Sequence, residues 1–411
     1  MFELLLALRN LRRNKRRTLL TAVVIAFGIL LHAFLGSLLT GFEEESARTL
    51  VKYETGEVAL TAPGYWAERK ELPLATVIPG ALGVADRVRR APGVRGAVPR
   101  LVFQAMVNNG TDELPVKAIG TDPRLDRSVL ALQGTVQTGR YLRPGREEAV
   151  LGRGVADLMD LKAHDTFTLV LRNQGTTFEA LDLTVAGILN APDPAVNEGT
   201  VYLPLDVAQR LTGLGDAATE ILVAGREGYT RSALLREQLA SDLAQAGPGL
   251  EVHTWEEAAA DLLAMSKAKR WSIGLTIGLI IVLAGLGVTN NVLLAGYERV
   301  REIGTLRALG LTEAQVTRVF MLEGLGVGFL GGLLGAVAAL PAVAYLVLVG
   351  LDYRSLVQSN IGLPILGILR GVWNLPTILG AWAAASVFSY LVSYFPARWA
   401  ARLDPATALR H

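Results

Sequence analysis

The sequence predicts a membrane protein in which four transmembrane α-helices, one before and three after, flank a large α+β extracytoplasmic domain. Long uncharged stretches, each able to supply the roughly 20 helical residues that cross a bilayer core, run over residues 18–42, 271–297, 324–351 and 371–397. Residues 43–270 have the composition of a soluble domain, with alternating strand-like and helix-like patterns. Arginine clusters beside the stretches indicate which ends are cytoplasmic.

Residues 1–17 are predicted to form a cytoplasmic amphipathic helix. Leu4, Leu8 and Leu11 fall on one face, and basic residues fall elsewhere. The simplest interpretation is a helix that lies on the inner membrane surface, with its charges setting the topology. The first span, 18–42, is longer than the apolar region of a signal peptide and lacks a good small-x-small cleavage site, so we expect it to be retained.

The large domain is predicted to contain short, mixed elements. Asn109-Gly110 indicates a hairpin turn between strands at 101–108 and 116–119. The last stretch, 255–269, is predicted to be a helix that continues into the second span. A continuous helix of this kind would carry motion from the domain into the membrane.

The polar segment 298–318 follows the second span and is predicted to carry a short cytoplasmic helix. Gly310 fits the position just after a helix C-terminus. Thr312 to Gln315 matches a capping box, so the helix of the third span, 319–350, is predicted to begin in the cytoplasm. The apolar stripe of the short helix is formed by Ile303, Leu306 and Leu309.

The third span is rich in glycine, and small residues four apart allow close helix packing. The pattern G-x-G-x-x-G at 326–331 is not interpreted as a dinucleotide site, because it lies inside a span with no strand before it. A short outer loop, 351–374, leads to the fourth span, 375–396, and a cytoplasmic tail, 397–411. The glycines predicted to pack against other helices are Gly324, Gly328, Gly331 and Gly335.

Two ionisable residues are predicted to lie within or beside the spans. His32 is interpreted as a neutral histidine that is hydrogen-bonded to a neighbouring helix or lies near the outer interface, and a proton relay is the alternative. Glu323, near the inner boundary, is interpreted as forming a structural ion pair with Arg318 or with an arginine of the short 298–309 helix. Direct contact of Glu323 with a substrate is the alternative.

Lysine and arginine near the spans set the predicted orientation. Basic residues precede the first span, lie between the second and third, and follow the fourth. The loop between the third and fourth spans has only Arg354 and Arg370. Both termini are therefore predicted to be cytoplasmic, with the large domain on the other side of a cell membrane or inner membrane.

The sequence also argues against several function classes. The net charge of +2 is too small to suggest nucleic-acid binding, and the absence of cysteine excludes disulfides and thiolate chemistry. The chain has no G-x-x-x-x-G-K-[ST], H-E-x-x-H or G-x-S-x-G motif, and its four histidines are scattered. No enzyme activity, cofactor or metal site is therefore predicted in this chain.

Four motifs of the chain form one pattern. They are YERVREIGTLRALG at 297–310, PARWAARLDPATALR at 396–410, VLGRGVADL at 150–158 and VAGI at 185–188. Together they resemble motifs of the FtsX/MacB-like permeases of ABC transporters, also called type VII. The strongest match is the first, which resembles the family's cytoplasmic coupling segment, and the second resembles the family's closing motif. The one-plus-three arrangement extends the resemblance over the whole chain. Because no ATPase domain is fused, the layout is most similar to that of lipoprotein-releasing permeases.

The resemblance implies a dimer, with a second copy or a homologous permease, and two separate P-loop ATPase subunits that bind ATP and Mg. It implies that the large domain is a MacB-like periplasmic core. It also implies that the short cytoplasmic helix docks on the ATPase, with its apolar side facing the ATPase groove or the membrane. The residues expected to couple the two subunits are Glu298, Arg299, Glu302, Ile303, Leu306, Arg307 and Leu309.

The function expected from this resemblance is mechanical transport. ATP-driven motion of the ATPase would reach the extracytoplasmic domain, which would extract or export a lipoprotein, lipid or other amphiphile. Two alternatives stay open: a regulator that activates an extracytoplasmic cell-wall hydrolase, and a solitary membrane receptor without an ATPase. No substrate-contacting residue is predicted.

Overall fold

The computed structural model describes residues 2–13, 15–172, 178–246, 249–298, 300–308, 310–352 and 368–402. The described chain divides into two compact units. The helical unit comprises residues 2–43, 265–352 and 368–402, and the sheet unit comprises residues 44–264.

The elements are as follows, in chain order. The helices are α1 (Phe2–Arg13), α2 (Lys15–Leu50), α3 (Tyr65–Glu68), α4 (Ala81–Arg89), α5 (Pro123–Asp126), α6 (Arg153–Leu158), α7 (Pro194–Glu198), α8 (Leu205–Thr212), α9 (Ser232–Ala246), α10 (Trp255–Ala258), α11 (Ala260–Glu298), α12 (Val300–Ala308), α13 (Glu313–Leu348), α14 (Leu375–Val392) and α15 (Tyr394–Ala401). The strands are β1 (Val58–Thr61), β2 (Val94–Asn108), β3 (Glu113–Thr121), β4 (Val136–Gly139), β5 (Glu148–Gly152), β6 (Thr166–Arg172), β7 (Phe178–Leu189), β8 (Thr200–Pro204), β9 (Glu220–Gly225), β10 (Glu251–Thr254), β11 (Leu351–Asp352) and β12 (Ile368–Leu369).

Four helical segments of the described chain are long and apolar enough to cross a membrane, which confirms the predicted one-plus-three pattern. The fourth segment is divided at Ser393, so the predicted single span 375–396 consists of α14 and the start of α15. The Ser393 hydroxyl donates to the Ser389 carbonyl at 2.7 Å, a local bond that often bends helices. The segments are Lys15–Thr55, Ala260–Glu298, Glu313–Leu348 and Leu375–Ala401.

The helical unit is held together by apolar side chains from all of its long helices. A buried cluster joins Ile25 of α2, Val292 of α11, Phe320 of α13 and Ala400 of α15. The predicted N-terminal helix is confirmed as α1, and it packs on α13, since a Cβ at Gly326 would overlap the Leu11 side chain. The location of α1 on the inner membrane surface stays a prediction.

The helix expected at 255–269 is interrupted at one residue. α10 ends at Ala258 and α11 begins at Ala260, because Ala259 has φ −90° and ψ 13°. The helical hydrogen bonds nevertheless continue across it: the Ala259 N–H donates to the Trp255 carbonyl, and the Ala259 carbonyl accepts from Leu263, both at 2.8 Å. The expectation of an unbroken helix from 255 is therefore wrong at Ala259, and α11 alone leads into the second span.

The described residues of the sheet unit form ten strands in one mixed sheet, which confirms the α+β expectation. The strand order is β10-β1-β9-β2-β3-β8-β5-β7-β4, and β6 pairs with both β2 and β7. The predicted hairpin is present, with Leu101 opposite Gly120 and Asn108 opposite Glu113. The two strands through which the chain enters and leaves this unit, β1 and β10, are neighbours, with Val58 opposite Thr254.

Alternation along β2 separates two apolar clusters, because successive side chains in a strand point to opposite faces. Leu101 and Phe103 belong to a cluster that α8 covers. Val98 and Val102 belong to a second cluster with Ala59 and Leu222. Arg100 lies between Val98 and Val102 in the same alternation, which places a cation on the same sheet face as these apolar side chains.

Candidate functional site

The short helix between the second and third spans is confirmed as α12. Glu302 lies in its first turn and Arg307 in its last, an arrangement that the helix dipole favours. Gly310 has φ 102°, the left-handed conformation expected just after a helix end. The predicted capping box is also present, since the Thr312 hydroxyl accepts from the Gln315 N–H and the Gln315 side chain accepts from the Thr312 N–H.

One of the predicted coupling residues lies inside the helical unit. Ile303 is 4% exposed and belongs to the buried cluster that contains Val316, Phe320 and Ala400. The expectation that Ile303 faces an ATPase groove or the membrane is therefore wrong, because its side chain packs within the chain. Arg299, Leu309 and the side chain of Leu306 lie outside the described residues.

Arg307 is also used within the chain. Its guanidinium donates to the Ala401 carbonyl at 3.1 Å and lies 3.2 Å from the Glu313 carboxylate. These contacts connect the end of α12 to α15 and to the first turn of α13. The structure therefore gives Arg307 a position that stabilises the helical unit.

Two ion pairs join α12 and the end of α11 to the N-terminal part of the chain. The Arg13 guanidinium lies 2.7 Å from the Glu302 carboxylate, and Arg17 lies 3.3 Å from Glu298. Arg13 and Glu302 are largely exposed, and such pairs each contribute only about 0–1 kcal/mol. They orient α12 relative to α1 and α2 more than they stabilise it. These arginines were expected only to set the topology, although the sequence carries opposite charges at 13–17 and 298–302.

The solvent-facing side of α12 is polar. Arg301, Glu302 and Thr305 are exposed and follow helical spacing on the side opposite Ile303. Tyr297 and Glu298, at the end of α11, are also exposed. We call Tyr297, Glu298, Arg301, Glu302 and Thr305 the polar ridge. Arg301 and Thr305 were not among the predicted coupling residues, although their position two residues before and after Ile303 places them on the opposite face of the helix.

Glu323 is buried near the start of the third apolar segment. Its Oε1 accepts from the Asn10 amide at 2.5 Å, which ties α1 to α13. Arg318, one of the two predicted partners of Glu323, lies 3.6 Å from Glu3. Pairing of Glu323 with an arginine of the 298–309 helix stays a prediction, since Arg299 lies outside the described residues. A short polar side chain on α1 therefore contacts the buried carboxylate, and this contact was not visible in the local sequence of the third span.

A cavity of about 450 Å³ lies between α2, α11 and α14 of the helical unit. Its wall is almost entirely apolar and rich in glycine. A Cβ at Gly278 would meet open space, whereas one at Gly285 would lie 2.7 Å from the Phe388 ring. His32 lines this cavity, and its Nδ1 is buried with no hydrogen-bond partner among the described residues. The predicted bond from His32 to a neighbouring helix is thus not made through Nδ1.

All four glycines singled out for packing lie at helix contacts. A Cβ at Gly324 or Gly328 would overlap Ser393 or Ser389, at the junction with α14. A Cβ at Gly331 would lie 2.8 Å from the Ala22 carbonyl oxygen, and one at Gly335 would lie 2.7 Å from that of Ala26. α13 therefore uses one pair of glycines against α14 and the other pair against α2.

Comparison with known proteins assigns both parts of the chain. Residues 18–240 match the family model of the MacB-like periplasmic core domain, and residues 274–401 match that of the FtsX-like permease C-terminal region. Together the two matches leave only short segments outside any model.

Curated relatives align over nearly the full length. The chain is 24% identical to the lipoprotein-releasing system transmembrane protein LolC of Xylella fastidiosa, covering 99% of this chain and 98% of that one. It is 25% identical to LolE of Haemophilus influenzae, covering 95% and 93%. It is also 25% identical to the macrolide export ATP-binding/permease protein MacB of Psychrobacter cryohalolentis, of which it spans 58%. The chain belongs to the FtsX/MacB-like (type VII) family of ABC transporter permeases.

Proposed function

We propose that this chain is a permease subunit that transmits the ATP-driven motion of a separate ATPase to its extracytoplasmic domain. Two P-loop ATPase subunits, which bind ATP and Mg, and a second permease copy or a homologous permease complete the complex. The cargo is a lipoprotein, a lipid or another amphiphile, which the complex extracts or exports. The names of the Xylella fastidiosa and Psychrobacter cryohalolentis relatives, a lipoprotein-releasing system and a macrolide exporter, support this class of cargo.

The observation that carries the proposal is the polar ridge on α12. A short helix between two spans is held by Ile303 in the buried cluster, by Arg307 on Ala401, and by Arg13 on Glu302. Its other side remains exposed and polar. A partner that binds the ridge would therefore move a rigid part of the helical unit, and not a loosely attached loop.

The apolar cavity beside His32 supports an amphiphilic cargo. A cavity of about 450 Å³ with an almost wholly apolar wall suits a hydrocarbon chain far better than a hydrated solute. Few polar groups line the apolar helices, so a hydrated conduit is not part of the proposal.

The same proposal includes an orientation. Both termini and the polar ridge lie in the cytoplasm, and the sheet unit lies outside the cell membrane or inner membrane. The distribution of arginine and lysine around the four apolar segments supports this orientation.

The test is co-purification of the tagged chain from its native membrane, with mass spectrometry of the proteins retained. Arg301→Glu reverses a charge on the exposed ridge, and we expect it to remove most of a P-loop ATPase that accompanies the native chain. Arg12→Glu is the matched control, because Arg12 is an exposed arginine on α1 outside the ridge. Equal recovery of the ATPase with both variants would contradict docking on the ridge. Recovery of the native chain without any ATPase would favour a solitary receptor.

A further inference from the structure

The sheet unit contains a cavity that the proposed function does not use. It has a volume of about 370 Å³ and lies over the sheet face that carries Ala59, Val102 and Leu222. Leu50, the last residue of α2, and Ala258, the last residue of α10, contribute to its wall, as do residues of α3. Its size falls within the range of pockets that hold small molecules.

A buried guanidinium lines this cavity. The Arg100 side chain is only 3% exposed, and a charge in such a place requires compensation. Its Nη1 donates to the Glu54 carbonyl at 2.6 Å, and the Glu220 carboxylate lies 3.7 Å away. The Arg100 Nε is buried and has no hydrogen-bond partner among the described residues. Within the described part of the sheet unit, the Arg100 guanidinium therefore keeps one donor without a hydrogen bond.

A second guanidinium belongs to the roof of the cavity. Arg69 lies 4.1 Å above the centre of the Trp66 ring, which also stacks on His253 at 4.0 Å. Its Nη2 donates to the neutral Ala258 carbonyl at 2.8 Å. Arg69 is thus held in place by stacking and by a carbonyl, with no carboxylate in these contacts to neutralise it.

The charges around the cavity favour an anion. Lys117 pairs with Glu54 at 2.9 Å, and the exposed Lys70 pairs with Asp261 at 2.8 Å. Burial raises the pKa of Glu220, so its charged form is less favoured than that of an ordinary glutamate. The basic side chains that line the cavity outnumber the acidic ones: Arg69, Lys70, Arg100 and Lys117 against Glu54 and Glu220.

The remaining wall is largely apolar and includes Trp66. Ala59, Val102, Ile119 and Leu222 supply the floor, and Leu72 supplies part of the side. A ligand that fits both the cations and this surface has one anionic group attached to an apolar body. Guanidinium groups bind phosphate through paired N–H donors, which makes a phosphate ester the best match.

We propose that this cavity binds an amphipathic phosphate ester, with the phosphate between Arg69 and Arg100 and the apolar part against Trp66 and the sheet floor. The site goes beyond the proposed transport function, since binding requires neither an ATPase nor transport. A phospholipid of the membrane and a soluble phosphate compound share this chemistry, and the experiment separates them.

The experiment is calorimetric titration of the purified full-length chain in a neutral maltoside detergent, with protein-free micelles as the blank. The probes are dihexanoyl phosphatidic acid, dihexanoyl phosphatidylcholine and inorganic phosphate. We expect the phosphatidic acid to bind at least about tenfold more tightly than the phosphatidylcholine, because a zwitterion is less complementary to the excess of cations. Tighter binding of phosphatidic acid than of inorganic phosphate would identify a lipid source. Equal binding of these two would show that only the phosphate is recognised, which would favour a soluble phosphate compound and contradict an amphipathic ligand.

Variants show whether binding occurs at this cavity. Arg69→Gln should weaken phosphatidic acid binding by about tenfold, the usual effect of losing one charged hydrogen bond. Arg124→Gln is the matched control, because Arg124 is an exposed arginine of the same unit that does not line the cavity, and it should bind like the native chain. Lys117→Gln provides a second variant if Arg69→Gln does not fold. Absence of binding by all three probes, equal binding of the zwitterion, or unchanged affinity in the cavity variants would overturn the proposal.

Discussion

Asp193 is an acidic residue in an unfavourable place for a charge. It is 5% exposed and caps α7, where its side chain accepts from the Ala195 N–H at 3.0 Å. Burial, with a further contribution from the Glu54 carboxylate, raises the pKa of Asp193 to about 6. In the unfolded chain the same group titrates near 3.9. The folded state therefore binds this proton more tightly than the unfolded state does.

The sign of the resulting pH dependence follows directly. Between about pH 4 and pH 6 the unfolded chain has lost the proton and the folded chain has kept it, so the Asp193 contribution to stability falls as pH rises. We expect Asp193→Asn, which keeps a good capping side chain, to abolish this component. The variant should match the native chain at pH 4 and exceed it by up to about 3 kcal/mol at pH 7. Unfolding followed by tryptophan fluorescence from pH 4 to 8 measures this, and a difference independent of pH would contradict it.

Two single residues show that the sequence alone did not predict which neighbours a side chain contacts. Glu323 was recognised as a buried carboxylate, but its contact with Asn10 joins residues that are far apart in the chain. Ile303 was recognised as apolar, but an apolar face on a short helix fits packing inside the chain as well as docking on a partner. In both cases residue type was visible in the sequence, whereas the identity of the neighbour depended on the tertiary arrangement.

At the scale of an element, the glycines of α13 allow a comparison within one unit. A Cβ at Gly328 would lie 2.6 Å from the Ser389 Cβ and 2.9 Å from the Ala385 carbonyl oxygen. A Cβ at Gly36, in α2, would have no atom within 4 Å. A glycine-to-alanine substitution would therefore meet a close helix contact at position 328 and open space at position 36.

We expect Gly328→Ala to destabilise the chain by about 1–3 kcal/mol, because the added methyl group forces α13 and α14 apart. Gly36→Ala should be neutral or slightly stabilising, since alanine is the better helix former. Thermal unfolding of the two variants in the same detergent gives the comparison. A similar loss of stability in both variants would contradict the packing explanation. It would indicate that glycine is needed at both positions for its backbone flexibility.

Local elements were predicted well where their signals were local. The β2–β3 hairpin follows from Asn109-Gly110, and the start of α13 follows from the capping box at Thr312. β2 begins at Val94, earlier than the predicted start at residue 101. The earlier start was hard to predict because Pro99 lies inside the strand, and proline normally argues against a strand interior. The break at Ala259 has no sequence signal, since alanine is the strongest helix former.

For the molecule as a whole, the absence of cysteine makes the proposed orientation directly measurable. Thr111→Cys places one thiol in the exposed β2–β3 turn, and Thr305→Cys places one on the polar ridge. In intact spheroplasts a membrane-impermeant maleimide should label the cysteine at 111 and should reach the cysteine at 305 only after lysis. Labelling of both cysteines in intact spheroplasts would contradict cytoplasmic termini. Labelling of the cysteine at 305 in intact spheroplasts, with that at 111 labelled only after lysis, would contradict them as well.

The fold class was predictable from sequence because membrane spans are encoded locally, by length and by lack of charge. The order of the strands in the sheet was not predictable, because neighbouring strands such as β1 and β10 are far apart in the sequence. The basic cavity was hidden for the same reason. Arg69, Arg100 and Lys117 come from three separate elements, and each alone looks like an ordinary solvated cation.

The pairing of β1 with β10 has a mechanical consequence. Val58, where the chain comes in from α2, lies opposite Thr254, where it goes out to α10, so both attachments are at the same end of one antiparallel ladder. A force that separates these two attachments acts first on the Val58–Thr254 pair and then on each following residue pair of the two strands in turn. Ladders loaded in this direction yield at lower force than ladders sheared along their length. Tension that reaches the sheet unit through its two ends would therefore act on the β1–β10 pair before it reaches the other strands.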